Sequence, residues 1–337
     1  MAAGVFTGGI KKIISGNKTK SVIGFKMRMK VWKVNTILLL ILFFFALLHT
    51  GCESYSEKDE KKKDTPLRGT IRISADESFK PVIDEQVKVY EANRPGTRII
   101  VDYKPEAECL KDLLDTTRMI IATRSFTEWE QNLIIDSLKI SPEKKVVARD
   151  AVAVIVNPMS EDSLFTMQEI KEILTGRFAK NLIPVFDGVQ ATSTVRYIVD
   201  SVLKNDSLTP KAMAARTSEG VIDYVAQNPG AIGFIGVSWI GNKEDTAQIS
   251  FLKKVKIAHI ESTDLPGKYV LPVQANIYMR RYPMVRDLVY ILKESHRGLG
   301  WGFADYMSGE IGQRIFRRAY LMPAQKDLIV RPIRVTE

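Results

Sequence analysis

Short apolar runs alternate with amphipathic stretches along residues 70–156. The runs at 70–73, 97–103, 119–122 and 145–156 predict strands, and the stretches at 78–92, 106–118 and 128–138 predict helices. This alternation predicts an α/β fold with a mostly parallel sheet flanked by helices. The run at 145–156 is nearly continuous and rich in β-branched residues, which is typical of a strand buried on both faces.

A second alternating block follows. Strands are predicted at 182–186, 231–236 and 255–260, and helices at 194–203 and 218–227. The segment 269–279 is predicted to be extended, and 282–293, 302–307 and 309–318 are predicted helices. With 337 residues, the chain is long enough for two ordinary domains.

The stretch between the two blocks carries a full set of helix signals. Thr166 is a suitable N-cap, and Glu169 three residues later completes a capping box. Gly176 is a suitable C-cap. The apolar face between these caps is formed by Ile170, Ile173 and Leu174. These signals predict a short amphipathic helix.

The first 51 residues have the pattern of a leader. A basic stretch at 28–33 precedes an apolar run at 36–48, which is short for a membrane span and typical of a signal peptide. Gly51-Cys52 then resembles a lipoprotein cleavage site, so Cys52 is the predicted lipidated residue; a signal anchor with a chance cysteine is the alternative. We interpret 1–26 as an over-extended start, 27–51 as the signal peptide and 52–67 as a flexible charged tether.

The net charge of +10 comes mostly from this leader. Residues 1–51 hold eight Lys or Arg and no Asp or Glu, so the rest of the chain has 41 basic and 39 acidic residues, a net charge of +2. A nearly balanced body creates no strong field for nucleic acid. No nucleic-acid partner is therefore predicted.

The residue types that would indicate an enzyme or a metal site do not cluster in the sequence. With Cys52 lipidated, Cys109 has no intrachain partner and is interpreted as a small buried residue. The three histidines form no metal set with cysteines, and no Gly-x-Ser-x-Gly or Walker loop occurs. The prediction is no enzyme, no metal and no cofactor.

Five segments resemble the phosphate-type substrate-binding proteins of ABC transporters. They are 70–78 (TIRISADES), 120–124 (IIATR), 151–158 (AVAVIVNP) with the helix after it, 228–234 (NPGAIGF), and 308–313 (SGEIGQ) with 321–323 (LMP). The segments follow the family's order over nearly all of the chain after the tether. The resemblance implies the two-lobed type II periplasmic binding fold, with lobe one at 68–155 and 269–331 and lobe two at 156–268.

In this family the ligand lies between the lobes, and a buried anion needs backbone N–H donors at helix starts, hydroxyls and usually one cation. Three turns after strands qualify: the first turn (74–79), the second turn (123–125) and the third turn (191–196), which takes the place of the family's Arg-x-x-x-Ser-Gly-Thr phosphate loop. The predicted ligand-binding residues are Ser74, Asp76, Ser78 and Phe79, then Thr123, Arg124 and Ser125, then Thr192, Ser193, Thr194 and Arg196.

The third turn departs from that loop in two ways. Ser193 stands where the loop has glycine, and no arginine precedes it. Arg196 follows the turn and is the candidate substitute, unless it points to solvent. In the first turn, Asp76 and Glu77 could accept a proton from a protonated oxyanion, or could occupy the helix start and repel an anion.

Structural roles are the alternative for several of these residues. Ser74, Ser78 and Thr194 could serve only as N-caps, and Arg124 could form an ion pair with Glu128. Tyr103 and Glu106, next to the second helix, are further candidates for the space between the lobes.

The resemblance implies a lipid-anchored extracytoplasmic receptor that binds phosphate or a related oxyanion for an ABC transporter. The predicted partners are a small inorganic oxyanion, the permease subunits and, through the anchor, a membrane; the chain is predicted to be a monomer. The alternative is a surface interaction or sensing lipoprotein that keeps the fold without binding phosphate. A closed pocket lined by Arg124 favours the receptor, and a cleft filled by Asp76 and Glu77 favours the alternative.

Overall fold

The computed structural model describes residues 64–324, apart from 140, 189–191 and 243. The predicted leader, Cys52 and most of the tether lie outside these residues, as does the start of the third turn. Within the described part of the chain, none of the helices is both long and apolar enough to cross a bilayer.

The first block has the predicted order of strands and helices. Its strands are β1 (Gly69–Asp76), β2 (Thr97–Lys104), β3 (Met119–Ala122) and β4 (Glu143–Val156). Its helices are α1 (Lys80–Asn93), α2 (Glu106–Asp112) and α3 (Glu128–Leu138), and a short 3-10 turn, Glu77–Phe79, joins β1 to α1. The helix α2 ends six residues earlier than predicted, because the chain turns at Leu113 and runs irregularly to β3.

The second block contains more short elements than the sequence predicted. Its strands are β5 (Leu164–Phe165), β6 (Ile183–Phe186), β7 (Met213–Ala214), β8 (Ala231–Gly236), β9 (Lys256–Ile257), β10 (His259–Glu261) and β11 (Tyr269–Val270). Its helices are α4 (Met167–Thr175), α5 (Ser193–Tyr197) with a π-helical continuation (Ile198–Leu203), α6 (Ser218–Gln227), a 3-10 turn (Val237–Trp239), α7 (Thr246–Lys254) and α8 (Gln274–Tyr278). The helix α7 was not predicted, and α8 lies in a segment that was predicted to be extended.

The C-terminal part contains the main error of the sequence prediction. The segment 282–293, predicted as a helix, instead forms the strand β12 (Val285–Leu292). Six of its eight residues are buried, including the whole run from Leu288 to Leu292, so the segment packs on both faces. Periodicity cannot separate such a short apolar run from a buried helix. The chain then continues through α9 (Leu299–Ser308), α10 (Glu310–Arg318) and β13 (Met322–Pro323).

Ten of the described strands form one mixed sheet, in the order β2-β1-β3-β12-β4-β8-β6-β7, with β9 and β13 also paired to β4. At one end β2, β1 and β3 are parallel, and at the other end β8, β6 and β7 are parallel. Between them, β12 and β4 run antiparallel to their neighbours. The predicted α/β class is confirmed, and the lobe boundaries at 155/156 and 268/269 stay a prediction.

The long strand β4 joins the two parallel groups. Its residues up to Ala151 pair with β12, and its residues from Val152 onward pair with β8. Every residue of β4 from Asp150 to Val156 is buried, as the continuous apolar pattern predicted. The strand therefore brings the ends of both parallel groups to the middle of the sheet.

The helix α4 matches its predicted signals closely. Thr166 and Glu169 form the reciprocal capping box, and Gly176 ends the helix with a φ of 75°. The three apolar residues predicted to share a face, Ile170, Ile173 and Leu174, are buried. All of these interactions are local in sequence, which explains why the pattern was sufficient.

Candidate functional site

Polar side chains from both parallel groups meet beside β4 and form one buried group. We call it the central cluster, and its members are Asp76, Ser78, Asp150, Asp187, Ser193, Thr194 and Arg286. Each is at most 5% exposed. Asp76 ends β1 and Asp187 follows β6, so the carboxyl ends of strands from both groups contribute, as is usual for ligand sites in α/β proteins.

Arg286 and Asp150 form the ion pair at the core of this cluster. The two residues are directly opposite in the β12–β4 ladder, and Arg286 Nε donates to Asp150 Oδ2 over 2.9 Å. Burial opposes the charge of Arg286, but the carboxylates of Asp150 and Asp76 raise its pKa, so the guanidinium stays charged. The pair fixes a cation inside the protein.

The same guanidinium reaches the third turn. Arg286 Nη1 donates to Ser193 Oγ over 2.9 Å and to Thr194 Oγ1 over 3.3 Å. Its Nη2 is buried and has no hydrogen-bond partner among the described residues. Arg286 therefore connects β12 to the start of α5 and retains unused donor capacity.

The first turn enters the cluster through Ser78. Ser78 Oγ donates to Asp187 Oδ2 over 3.1 Å and lies 3.3 Å from Ser193 Oγ. Its backbone N–H donates to Asp76 Oδ1 over 2.9 Å, while Asp76 Oδ2 has no hydrogen bond within the described chain. Hydroxyls, a cation and carboxylates thus occur together, which is the mixture of donors and acceptors that a protonated oxyanion requires.

Burial sets the protonation of the acidic groups. It raises the pKa of Asp76 to about 6, and the charge of Glu106 adds to this rise while Arg286 opposes it. Burial also raises the pKa of Asp150 and of Asp187 above the usual range. The cluster holds three carboxyls around one guanidinium, and through Asp76 its charge changes with pH near 6.

Glu77 lies at the start of α6. Its carboxylate accepts from Ser218 Oγ over 3.1 Å and from the Ser218 backbone N–H over 3.4 Å. Burial raises the pKa of Glu77 to about 7, with a further rise from the charge of Asp187. Glu77 thus caps the start of α6, whereas at the first turn itself the carboxylate that accepts from a backbone N–H is that of Asp76.

The second turn is joined to α5 by a separate network. Thr123 donates from both its backbone N–H and its hydroxyl to Glu106 Oε1, over 2.8 and 2.7 Å. Arg196 Nε donates to Glu106 Oε2, and Arg196 Nη2 donates to Thr123 Oγ1 over 2.7 Å. Burial alone would raise the pKa of Glu106, but Arg196 and Thr123 hold it below its usual range. Arg196 is therefore not directed only to solvent.

Arg124 makes an ion pair away from the central cluster. Its Nη1 and Nη2 donate to the two carboxylate oxygens of Glu130 over 2.7 and 3.0 Å, and Nη1 also reaches the Ser125 carbonyl. The predicted alternative named Glu128 as the partner; the partner is Glu130, two residues beyond it on α3. The side chain of Arg124 is 28% exposed. The hydroxyl of Ser125 is buried without a hydrogen-bond partner among the described residues.

The remaining predicted residues, Ser74, Thr192 and Phe79, have different roles from one another. Ser74 donates its hydroxyl hydrogen to Asp112 on α2, which also pairs with Lys104. Thr192 is the N-cap of α5 and accepts from the Val195 N–H over 3.3 Å. Phe79 is fully buried, and the Arg286 guanidinium lies 5.0 Å from the centre of its ring.

The structure thus brings together Asp76, Ser78, Ser193 and Thr194 from the predicted set. Sequence reasoning missed Arg286, Asp150 and Asp187 as candidate functional residues, the first of them because β12 was taken for a helix. One signal was available: Arg286 and Asp150 are charged residues inside two apolar runs. Opposite charges in two buried strands indicate a pair, because an isolated buried charge is costly.

Comparison with known families identifies the class of this protein. The PBP superfamily domain matches residues 60–310, most of the chain. The chain therefore belongs to the PBP superfamily, and the resemblance found in the sequence is confirmed. Among the described residues, no group of three or more His, Cys, Asp or Glu side chains is arranged to hold a metal ion.

Individual relatives are distant but cover most of the chain. The phosphate-binding protein PstS of Bacillus subtilis (strain 168) is 22% identical over 296 residues, which is 82% of this chain and 90% of the relative. A candidate phosphate ABC transporter substrate-binding protein from Clostridium perfringens, solved with bound phosphate, has a TM-score of 0.62 at 18% identity, covering 76% of this chain and all of that one. An ABC-type phosphate transport receptor from Vibrio cholerae has a TM-score of 0.56 at 17% identity, covering 75% and 99%. The fold is shared, and the names of these relatives describe phosphate-binding and phosphate-transport proteins, which supports a solute-binding function.

Proposed function

We propose that this protein is a lipid-anchored extracytoplasmic receptor that binds phosphate or a related protonated oxyanion for an ABC transporter. The anchor is Cys52, the partners are the permease subunits, and the receptor acts as a monomer. The observation that carries the proposal is the central cluster, where hydroxyls from two turns surround a buried guanidinium beside carboxyl groups. The names of the relatives supply the ligand class, since PstS and the two solved receptors are described as phosphate proteins.

The chemistry of the cluster suits an anion that carries a proton. Ser193 and Arg286 supply donors, and Asp76 Oδ2 supplies an acceptor. Hydrogen phosphate can both accept from such donors and donate to such a carboxylate. Sulfate is fully ionised near neutral pH, so it would place an unprotonated oxygen against the carboxyl group. We therefore expect phosphate to bind more tightly than sulfate.

Isothermal titration of the purified chain with phosphate, sulfate and molybdate tests the proposal. We expect micromolar phosphate binding, and about tenfold weaker binding in Ser193→Ala, because that change removes a hydroxyl at the guanidinium. Ser250→Ala, on the exposed surface of α7, is the matched control. Binding of a different anion would keep the receptor and replace its ligand, and no binding of any anion would refute the proposal.

A second candidate function is the interaction or sensing lipoprotein without a phosphate ligand. The observation that favours it is the use of internal carboxylates as acceptors: Glu77 accepts from Ser218, and Asp187 accepts from Ser78. These acceptors use donors that an anion would otherwise need. The same titration decides between the candidates, because this second function predicts no heat with phosphate, sulfate or molybdate.

A further inference from the structure

Three arginines lie near the predicted ligand space, and their hydrogen bonds differ in one respect. Arg124 uses both terminal nitrogens on Glu130. Arg196 uses all three guanidinium nitrogens, on Glu106, Asp200 and Thr123. Arg286 uses Nε and Nη1, and its Nη2 has no partner within the described chain. Of the three, Arg286 is the one with a buried nitrogen still able to donate.

Burial separates the same three residues. The side chain of Arg286 is 2% exposed, whereas those of Arg124 and Arg196 are each 28% exposed. A charged donor in a water-poor environment interacts more strongly with an anion than the same donor at the surface. The contact with Asp150 also fixes the plane of the guanidinium before any ligand arrives, which lowers the entropic cost of binding.

The backbone beside the unused nitrogen lacks a side chain. A Cβ atom at Gly236 would stand 3.2 Å from Arg286 Nη2 and 3.3 Å from the Ser78 carbonyl oxygen. Gly236 has φ −66° and ψ 140°, a conformation that any residue adopts, so the turn itself does not require glycine. A side chain at this position would instead crowd Nη2, Asp150 Oδ2 and the Ser78 carbonyl oxygen.

We propose that the arginine ligand of the bound oxyanion is Arg286 of β12, held in position by Asp150, in place of the arginine that is missing before Ser193. This inference rests on the proposed function and assigns the cation of its site. Arg196 then has a different task, holding the start of α5 against Glu106 and Thr123. The cation and the hydroxyl-bearing turn come from opposite sides of β4, so an anion bound to Arg286, Ser193 and Thr194 contacts both.

Phosphate titrations of five variants of the chain, purified in detergent, test this assignment. Arg286→Lys keeps a positive charge, but a compact ammonium group lacks the planar fork with which the guanidinium reaches Asp150 and Ser193 and still offers Nη2. Gly236→Ala leaves Arg286 intact and crowds Nη2. We expect each to weaken phosphate binding by about 10- to 100-fold, the value of one charge-assisted hydrogen bond. The matched controls are Arg72→Lys, on the exposed surface of β1, and Gly230→Ala, where a Cβ would meet no atom closer than 3.8 Å; both should bind within about twofold of the wild type.

Arg196→Lys forms the competing arm of the experiment. If Arg196 is the ligand, this variant loses binding, while Arg286→Lys and Gly236→Ala do not; that result overturns the assignment and keeps the receptor. Unchanged affinity in Gly236→Ala also contradicts it, even if Arg286→Lys fails to fold. Absence of anion binding by the wild-type chain overturns both this inference and the proposed function. A crystal structure with phosphate should place a ligand oxygen within hydrogen-bond distance of Nη2.

Discussion

Arg124 and Arg286 both pair with a carboxylate, but the two pairs lie in opposite environments. The side chains of the Arg124–Glu130 pair are both more than a quarter exposed, and we call it the exposed pair. Its two residues are six positions apart in sequence. The Arg286–Asp150 pair is almost fully buried, and its members are 136 residues apart. In the exposed pair both terminal nitrogens of Arg124 donate to the oxygens of Glu130, whereas in the buried pair Nη2 of Arg286 has no partner among the described residues. If the proposed assignment of Arg286 holds, burial and unused donors indicate a ligand site better than the presence of an arginine at a strand end does.

The largest predicted effect concerns the buried pair. Arg286→Leu should lower the free energy of unfolding by about 3–5 kcal/mol, because it leaves the buried carboxyl of Asp150 without its cation. The double variant Arg286→Leu, Asp150→Leu should recover part of this loss, since it also removes the carboxyl of Asp150 that the single variant leaves unpaired. Urea unfolding followed by circular dichroism measures both. Equal losses in the single and double variants would contradict the importance of the pair.

A smaller effect is expected from pH, with opposite signs in the two regions. Glu77, beside the central cluster, has its pKa raised from 4.5 to about 7 by burial and by Asp187. Between these values the folded chain keeps a proton that the unfolded chain has lost, so stability falls as pH rises from 4.5 to 7. Glu77→Gln should flatten this fall, and glutamine can still accept from Ser218. Calorimetric melting temperatures in phosphate-free buffers measure the slope.

The exposed pair changes stability with pH in the opposite sense. The hydrogen bonds of Glu130 with Arg124 lower the pKa of Glu130 from 4.5 to about 2. The stability that Glu130 contributes is present above pH 4.5 and is lost as pH falls through 2. Glu130→Gln should therefore reduce the fall in stability below pH 4.5 and leave the slope of stability against pH between 5 and 7 unchanged. A changed neutral slope would show that the two regions are coupled.

The smallest effect on stability should come from replacing Arg124 of the exposed pair. Arg124→Gln should lower the free energy of unfolding by about 1 kcal/mol or less, because the ion pair is partly exposed to water and screened by salt. Urea unfolding at low and high ionic strength measures the loss, which should shrink as salt is added. A loss as large as that of Arg286→Leu would mean that exposure does not distinguish the two pairs.

The accuracy of the sequence prediction follows the range of the interactions. The helix α4 was predicted because Thr166, Glu169 and Gly176 act within one or two turns. The strand β3 was predicted with the same bounds that the structure gives, 119–122, and β4 within two residues. The strand β12 was mistaken for a helix because its apolar residues satisfy either pattern until the neighbouring strands are known.

The same rule applies to the candidate site. Asp76, Ser78, Ser193 and Thr194 were named from strand ends and helix starts, where local chemistry favours polar residues. Arg124 was also named on that basis, yet its donors are directed to Glu130 on the next helix. Whether a polar side chain at a strand end faces the cluster or a neighbouring helix depends on packing between distant elements, and a single sequence does not carry that information.

The sequence by itself determined the α/β class, the PBP superfamily, the capped helix α4 and the turns that supply hydroxyls. Only the tertiary structure decided which cation joins them. Residues 150 and 286 meet because β4 and β12 are neighbours in the sheet, with a register that places the two side chains opposite one another. Local hydrogen bonds are formed between residues close in the chain and leave a pattern there. A buried ion pair across a sheet is fixed by the positions of whole strands, so its members become recognisable only when the chain is folded.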